Sequence, residues 1–203
     1  MKNRSLQPFL HKDLIEAGCD EAGRGCLAGP VYAAAVILEK KFNHHLLNDS
    51  KKLTEKNRYI IREFIEKEAV AYSIAFVSNT KIDEINILNA SILAMHLALK
   101  DLSVKPQHIL VDGHRFKSFH NIPFTCIVKG DSTYASIAAA SVLAKTYRDD
   151  YMKKIDNVNP EYHWKKNKGY ATKDHRDAII AFGSSKYHRR TFRVKHQQFK
   201  LAL

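Results

Sequence analysis

Apolar and polar positions follow two periods along the chain, and these periods predict five strands and four helices. Apolar, β-rich runs predict strands at residues 14–19, 30–38, 70–77, 108–112 and 124–128. Apolar residues at helical spacing predict helices at residues 55–69, 82–102, 135–154 and 173–182, the first with Thr54 as its N-cap. A strand hairpin followed by alternating helices and strands is typical of an α/β or mixed α+β sheet flanked by helices. The Ala-rich third helix is expected to pack closely on that sheet.

Length and composition restrict this picture to one ordinary globular unit. The chain has 203 residues, 45% of them hydrophobic and 27% charged, which favours one domain or one domain with a small extension. No run approaches the roughly 18 consecutive apolar residues of a membrane span, and residues 1–10 lack the apolar core of a secretion signal. Cys19, Cys26 and Cys126 are odd in number and lack CxxC spacing, which argues against a disulfide framework or a zinc site. A cytoplasmic protein with no membrane partner is therefore expected.

Positive charge is concentrated in the last quarter of the chain. The net charge is +12; residues 1–150 hold 20 Lys and Arg against 17 Asp and Glu, or +3, and residues 151–203 hold 13 against 4, or +9. The same C-terminal segment carries the aromatic residues Tyr162, Trp164, Tyr170, Phe182, Tyr187, Phe192 and Phe199. Basic side chains neutralise phosphates and aromatic faces stack on bases or sugars, so this segment predicts a nucleic-acid surface. A solvated basic surface over core aromatics is the alternative.

Four acidic residues stand at predicted strand ends: Asp20 and Glu21 at the first, Asp112 at the fourth and Asp131 after the fifth. Ligand sites gather at strand ends in open sheets. Converging carboxylates repel by about 4 kcal/mol per pair at about 4 Å and an effective dielectric near 20, so protons or cations must offset the repulsion. Oxygen ligands without a Cys or His set select Mg²⁺ or Mn²⁺, and two such ions can promote phosphodiester cleavage. The alternative is that Asp112 and Asp131 are turn residues in Asp-Gly and Gly-Asp dipeptides.

Two glycines flank an arginine directly after the first acids. Gly23 and Gly25 let the backbone approach a ligand closely. Arg24 can fork onto a phosphate or lie against a sugar. As a bare pattern, Gly-Arg-Gly is often only a turn.

Six ordered blocks of sequence resemble those of bacterial ribonuclease HII, the type 2 ribonuclease H family. They are DEAGRGCLAGPV at 20–31, NDSKKL at 48–53, VDG at 111–113, KGDS at 129–132 with AAASVLAK at 138–145, KGYATKDH at 168–175 and HRRTF at 188–192. The blocks span nearly the whole chain. The sister type HIII carries a different glycine motif and an added N-terminal domain, so HII is the better match.

The resemblance implies a ribonuclease H-like fold, with a mixed five-stranded sheet flanked by helices. Residues 1–155 would form the catalytic core and residues 156–203 a basic helical C-terminal extension within one compact unit. The implied activity is endonucleolytic cleavage of RNA in RNA–DNA hybrids, and 5′ to single ribonucleotides in duplex DNA, leaving 3′-hydroxyl and 5′-phosphate ends. By motif position, the residues that hold two Mg²⁺ or Mn²⁺ ions during catalysis would be Asp20, Glu21, Asp112 and Asp131.

The resemblance also implies how the substrate is held. The ribose 2′-hydroxyl, the group that distinguishes RNA from DNA, would be read by Gly23, Arg24 and Gly25. Tyr170 would pack on the neighbouring deoxyribose, and Lys51 and Lys52 would lie near the substrate backbone. The family often has Pro where this chain has Cys26 and Ala171, and Ala171 would leave the loop around Tyr170 less rigid.

Several residues near these motifs are expected to be structural. His114 is expected on a loop surface, and His175 is expected to pack or to cap a helix. Cys19 adjoins the acids on the alternate strand face, which favours a buried, inert thiol. Trp164 is equally consistent with core packing and with nucleic-acid contact.

The expected partners are RNA–DNA hybrids and ribonucleotide-containing duplex DNA, bound by a monomer. Residues 196–203 faintly resemble peptides that dock on sliding clamps, with a frayed terminus as the alternative. Two other function classes stay open. One is a different ribonuclease H-like nuclease, such as a resolvase or transposase core, which would cleave all-DNA substrates. The other is a non-catalytic, basic protein that binds RNA or hybrids.

Overall fold

One mixed sheet of five strands forms the centre of the protein. The computed structural model describes residues 6–42, 44, 46–47 and 53–192. The strands are Glu16–Ala22 (β1), Val31–Ile37 (β2), Ala71–Val77 (β3), His108–Asp112 (β4) and Phe124–Ile127 (β5). Their order is β3-β2-β1-β4-β5; β1, β2 and β3 are antiparallel neighbours, whereas β4 is parallel to β1 and β5 to β4. The five predicted strands are present, and the predicted mixed sheet is confirmed.

Helices cover both faces of this sheet. They are Glu55–Glu68 (α1), Asn79–Lys100 (α2), Ala135–Asp156 (α3), Trp164–Asn167 (α4) and Lys173–Phe182 (α5). α2 packs on the face that carries Ala17 and Cys19, and α1 and α3 pack on the face that carries Ala34 and Val36. Thr54 caps α1 as predicted, because its hydroxyl accepts the Asn57 N–H at 3.2 Å. Alternate residues of β1 therefore face different layers.

α3 lies close against β1 because Gly18 has no side chain. A Cβ at this glycine would lie 2.3 Å from the carbonyl carbon of Ser136. The alanines that follow on α3 are fully buried: Ala138, Ala139 and Ala140. The predicted close packing is confirmed, and it places the next turns of α3 over the acidic end of β1.

Two predicted boundaries were wrong. β1 runs from Glu16 to Ala22, so Asp20 and Glu21 lie within the strand rather than after it. α2 begins at Asn79 instead of residue 82 and is interrupted at Asn86, whose φ of 64° is not helical. The Asn86 side chain restarts the helix, because its Oδ1 accepts the Asn89 N–H at 3.1 Å.

Burial explains the apolar character of α2. Within the described ranges, α2 is the one helix whose length and composition would allow it to cross a membrane. Here Ile82, Ala94 and Met95 are buried against the sheet. The helix therefore contributes one side of the core.

Residues 157–192, called the C-terminal lobe below, pack against the end of α3. They comprise a single turn, Pro160–Tyr162, followed by α4 and α5. The lobe and α3 share a buried cluster of Ala28, Met152, Ile155, Tyr162, Trp164 and Ala178. Trp164 is fully buried, so it belongs to the core and not to a nucleic-acid surface. The division of the chain at residues 155 and 156 stays a prediction.

Candidate active site

Three carboxylates meet at one edge of the sheet. Asp20 and Glu21 lie near the end of β1, and Asp112 is the last residue of β4, the parallel neighbour of β1. Parallel strands present their carboxyl ends at the same edge. All three acids line one cleft of about 460 Å³. The sequence predicted that four acids converge, and three of them line this cleft.

Burial and mutual repulsion set the electrostatics of this edge. Burial, then Glu21 and then Asp112 raise the pKa of Asp20 well above its usual value, against a hydrogen bond from Ser141. Burial also raises the pKa of Glu21, although Arg24 donates to its Oε1 at 2.9 Å and lowers it. Such a cluster retains protons unless a cation offsets the repulsion. Carboxylate oxygens are the ligands that Mg²⁺ and Mn²⁺ prefer, so the donor set fits either ion.

Asp131 lies beside this group without lining its cleft. It sits in a single turn, Gly130–Ser132, and is 2% exposed. The turn is tied to the other acids, because the Gly130 N–H donates to Asp112 Oδ1 at 2.7 Å. In the described part of the chain, no three His, Cys, Asp or Glu side chains are close enough together to hold a metal ion as they stand. Binding one ion through three of these side chains would therefore require them to move closer together, whereas one or two carboxylates with waters can hold Mg²⁺.

The loop after β1 presents Gly23 and Gly25 to the cleft. Gly23 has a φ of +99°, and a Cβ there would lie 2.0 Å from Arg148 Nε. Gly25 has no such restriction: its φ is not left-handed, and among the described residues no atom beyond Gly25 and its two chain neighbours lies within 4 Å of the place a Cβ would take. The fold requires the first glycine, whereas the second leaves open space beside the acids.

Two buried arginines hold this loop by its carbonyl groups. Arg189 donates to the carbonyls of Gly23 at 2.7 Å and Arg24 at 2.8 Å. Arg148 donates to the carbonyls of Pro30 and Ala28, each at 3.0 Å. The backbone of the predicted 2′-hydroxyl reader is therefore fixed from behind, while the Arg24 side chain remains about half exposed.

Tyr170 reaches the same cleft from the C-terminal lobe. It is 42% exposed and lines the cleft together with the acids and the glycine loop. Its backbone pairs with that of Cys26 in an isolated antiparallel bridge. Burial, and then the Cys26 thiol, raise the pKa of Tyr170. The bridge places Cys26 beside Tyr170, whose chain neighbour is Ala171.

Three further polar residues line the cleft that the sequence analysis did not assign: Arg58, Ser141 and Lys145. Ser141 and Lys145 stand four residues apart on α3, a spacing that places both on one helix face. Two polar residues on one face of an otherwise apolar block indicate that this face meets a polar site, so the sequence contained a signal for both. Lys145 is ion-paired with Asp149, and burial lowers the pKa of Lys145. Arg58 belongs to α1, and nothing in the sequence around it indicates that it lines the cleft.

Three further expectations are confirmed, and the others fall on residues that the structure does not describe. Cys19 is fully buried, and burial raises its thiol pKa, as expected of an inert cysteine. His114 is exposed on the loop after β4, and His175 is fully buried. Both are confirmed as expected from the sequence. Lys51, Lys52 and residues 196–203 lie outside the described residues.

The order of the sheet, with carboxylates on its two central parallel strands, defines a ribonuclease H-like protein. Comparison with known sequences then specifies the family. The family description Ribonuclease HII matches residues 17–198, and the chain belongs to the ribonuclease HII family. The predicted family and fold are both confirmed.

Relatives and solved structures agree with this assignment. The chain is 64% identical over 189 residues to ribonuclease HII of Bacteroides thetaiotaomicron, covering 93% of this chain and 94% of the relative. It superposes on ribonuclease H2 of Pyrococcus horikoshii with a TM-score of 0.71 and 26% identity, covering 87% and 93% of the two chains. Ribonuclease HII of Archaeoglobus fulgidus, solved in a complex with PCNA, gives a TM-score of 0.75 at 23% identity, covering 92% and 98%. The protein is thus a ribonuclease H, an enzyme that cleaves the RNA strand of RNA–DNA hybrids.

Proposed function

We propose that the protein is a divalent-metal-dependent endoribonuclease that cuts RNA in hybrids and also cuts 5′ to a single ribonucleotide in duplex DNA. One observation carries the proposal: a single cleft joins Asp20, Glu21 and Asp112 to the open space at Gly25 and to the exposed ring of Tyr170. A nuclease that relies on carboxylates alone would not require the open space at Gly25 or the exposed Tyr170. The products would carry 3′-hydroxyl and 5′-phosphate ends.

The three acids of the cleft would hold Mg²⁺ or Mn²⁺, with Asp131 joining them from the turn that contacts Asp112. When bound, divalent ions activate a water and stabilise the leaving oxygen in phosphodiester hydrolysis. The raised pKa of Asp20 supports this assignment, because an added cation relieves the repulsion among these carboxylates. Two ions during catalysis is the expected number.

The chain's own groups would select and orient the substrate. Backbone groups at Gly25 have room to approach a ribose 2′-hydroxyl, which alone distinguishes one ribonucleotide from its DNA neighbours. Tyr170 would lie against the next deoxyribose and exclude a second 2′-hydroxyl by crowding. Arg58 and Lys145 line the same cleft as cations and would contact phosphates of the bound strand.

Cleavage of duplex DNA that contains one ribonucleotide, in Mg²⁺ and in Mn²⁺, tests the proposal. We expect a cut 5′ to the ribonucleotide and none in all-DNA duplex. Asp20→Asn should abolish cleavage while it preserves substrate binding and does not lower the melting temperature. Cleavage of all-DNA duplex would instead favour a resolvase or transposase core. Metal-independent binding without products would favour a non-catalytic binding protein.

The remaining assignments are proposals about the setting of the enzyme. We infer a cytoplasmic monomer in which the basic C-terminal lobe binds the duplex. Docking of residues 196–203 on a sliding clamp is proposed from sequence alone; the archaeal complex with PCNA concerns a protein that is 23% identical. Truncation after residue 195 should abolish retention on an immobilised clamp if this proposal is correct, and unchanged retention would contradict it.

A further inference from the structure

Two histidines and the single tryptophan form a buried cluster behind Tyr170. His175, His188 and Trp164 are exposed by 0%, 4% and 0%. The indole Nε1–H of Trp164 donates to His175 Nε2 at 3.0 Å, and His188 Nε2 lies 3.2 Å from the same nitrogen. His175 Nδ1 lies 2.9 Å from the carbonyl oxygen of Tyr170. We call these three side chains the imidazole relay.

The partners of the relay fix every proton in it. A carbonyl oxygen only accepts, so His175 must carry its proton on Nδ1 and accept at Nε2. The Ser185 N–H donates to His188 Nδ1 at 2.9 Å, so the His188 proton lies on Nε2, where it shares the single lone pair of His175 Nε2 with the Trp164 N–H. A second proton on His175 would face the N–H donors of Trp164 and His188. A second proton on His188 Nδ1 would face the Ser185 N–H, with the Ser185 hydroxyl, 3.0 Å away, as its one nearby acceptor among the described residues. The relay is therefore complete only when both imidazoles are neutral.

The end of the relay is the backbone of the cleft tyrosine. The Tyr170 carbonyl accepts from His175 and from the Thr172 N–H, the latter at 2.8 Å. The next residue is Ala171, which lacks the pyrrolidine ring by which a proline would restrain this backbone. We propose that the imidazole relay positions Tyr170, and that His175 thereby sets the preference of the enzyme for RNA–DNA junctions.

This inference rests on the proposed role of Tyr170, and its test uses two variants of one residue. His175→Asn keeps a donor at the Nδ1 position, aimed at the Tyr170 carbonyl, and loses the acceptor for Trp164. His175→Gln places its side-chain amide at the Nε2 position and loses the donor to the Tyr170 carbonyl. Tyr162→Phe is the matched control, because it removes the hydrogen bond from the Tyr162 hydroxyl to the Gly183 carbonyl and keeps the ring that packs on Trp164 and His188.

The measured quantity is the junction preference, the ratio of kcat/KM for a single-ribonucleotide duplex to kcat/KM for a hybrid with an all-RNA strand. Loss of one hydrogen bond predicts a fall of about three- to tenfold in this ratio for His175→Gln. His175→Asn should retain most of it. Tyr162→Phe should lower the melting temperature and leave the ratio unchanged.

Two results would overturn the inference. One is an unchanged ratio in His175→Gln while Tyr170→Ala loses its preference. The other is measured on the wild-type enzyme, so no variant has to fold. The ¹⁵N chemical shifts of the imidazoles should show His175 as the Nδ1–H tautomer and His188 as the Nε2–H tautomer at pH 7, and any other pair of tautomers would overturn the inference. If the wild type does not cut the single-ribonucleotide duplex at all, the proposed function fails instead, and the tautomer measurement still tests the relay.

Discussion

Gly23 and Gly25 stand two residues apart, yet the protein constrains them differently. Gly23 adopts a left-handed φ of +99° and lies against the Arg148 side chain. Gly25 has neither restriction, and its open side faces the cleft. The fold thus explains the first glycine, whereas no contact of the described residues requires the second. Substitution should separate the two roles.

Gly23→Ala should destabilise the protein, because it combines a left-handed backbone with a Cβ 2.0 Å from Arg148 Nε. Such strain costs about 1–3 kcal/mol, which thermal melting would show as a fall of several degrees. Gly25→Ala should leave stability within about 0.5 kcal/mol of the wild type and reduce cleavage at a ribonucleotide at least tenfold. Equal loss of stability in the two variants would show that Gly25 is also required by the fold.

α3 connects the packing of the sheet with the chemistry of the cleft. Its approach at Gly18 brings Ser141 and Lys145 over the acidic end of β1. Gly18→Ala should therefore force the helix away from the strand, at a cost of about 1–3 kcal/mol for overpacking. We expect a lower melting temperature together with reduced kcat, measured below the melting transition of the variant. Full kcat in a destabilised variant would mean that the position of α3 does not control the site.

Local pattern was sufficient to predict most elements and the convergence of three of the four acids in one cleft. Strand alternation, the Thr54 cap and the carboxylates at the parallel edge follow from short stretches of sequence. Other features depend on contacts between distant segments. The position of Ser141 and Lys145 over Asp20 depends on how closely α3 approaches β1. The helix is interrupted at Asn86 although the apolar pattern continues through that residue. The position of Arg58 in the cleft depends on the packing of α1.

The neutral imidazoles of the C-terminal lobe give it a defined pH dependence. Burial, and then His175, lower the pKa of His188 to about 4 in the folded protein, compared with 6.5 in the unfolded chain. Between these values the unfolded state binds more protons, so folding stability is lost as the pH falls from about 6.5 towards 4. His188→Gln carries no titrating ring, so its melting temperature should fall less steeply over this interval. Parallel curves for the two proteins would contradict this account.

The carboxylates of the cleft change folding stability with pH in the opposite direction to His188. Because burial and neighbouring acids raise the folded pKa of Asp20 above its unfolded value, its contribution to stability is present at low pH and lost as the pH rises. In metal-free buffer at pH 8, Asp20→Asn should therefore melt at a higher temperature than the wild type. Millimolar Mg²⁺ or Mn²⁺ should raise the melting temperature of the wild type more than that of the variant. An equal response to metal in both proteins would argue against an ion at these carboxylates.

The distribution of charge over the whole molecule predicts that binding and the choice of cleavage point respond differently to salt. Residues 1–150 carry a net +3 and contribute the acids of the cleft, whereas residues 151–203 carry +9. Contacts between basic side chains and phosphates weaken with salt, with a slope of about −0.9 in log K per contact on B-form DNA. A 2′-hydroxyl contact releases no counterion, so salt should reduce affinity and leave the position of the cut unchanged.

Paired substitutions test which surface produces the salt dependence. Lys165 and Lys166 are exposed on α4, and Lys40 and Lys41 are exposed after β2, at the edge of the sheet opposite the acids. Both pairs remove two charges when changed to Gln, so a general effect of net charge would act equally. If the C-terminal lobe holds the duplex, Lys165→Gln with Lys166→Gln should reduce the salt slope by up to about 2, whereas Lys40→Gln with Lys41→Gln should leave it unchanged. Binding titrations between about 50 and 200 mM salt measure both slopes, and equal slopes would place the duplex elsewhere on the protein.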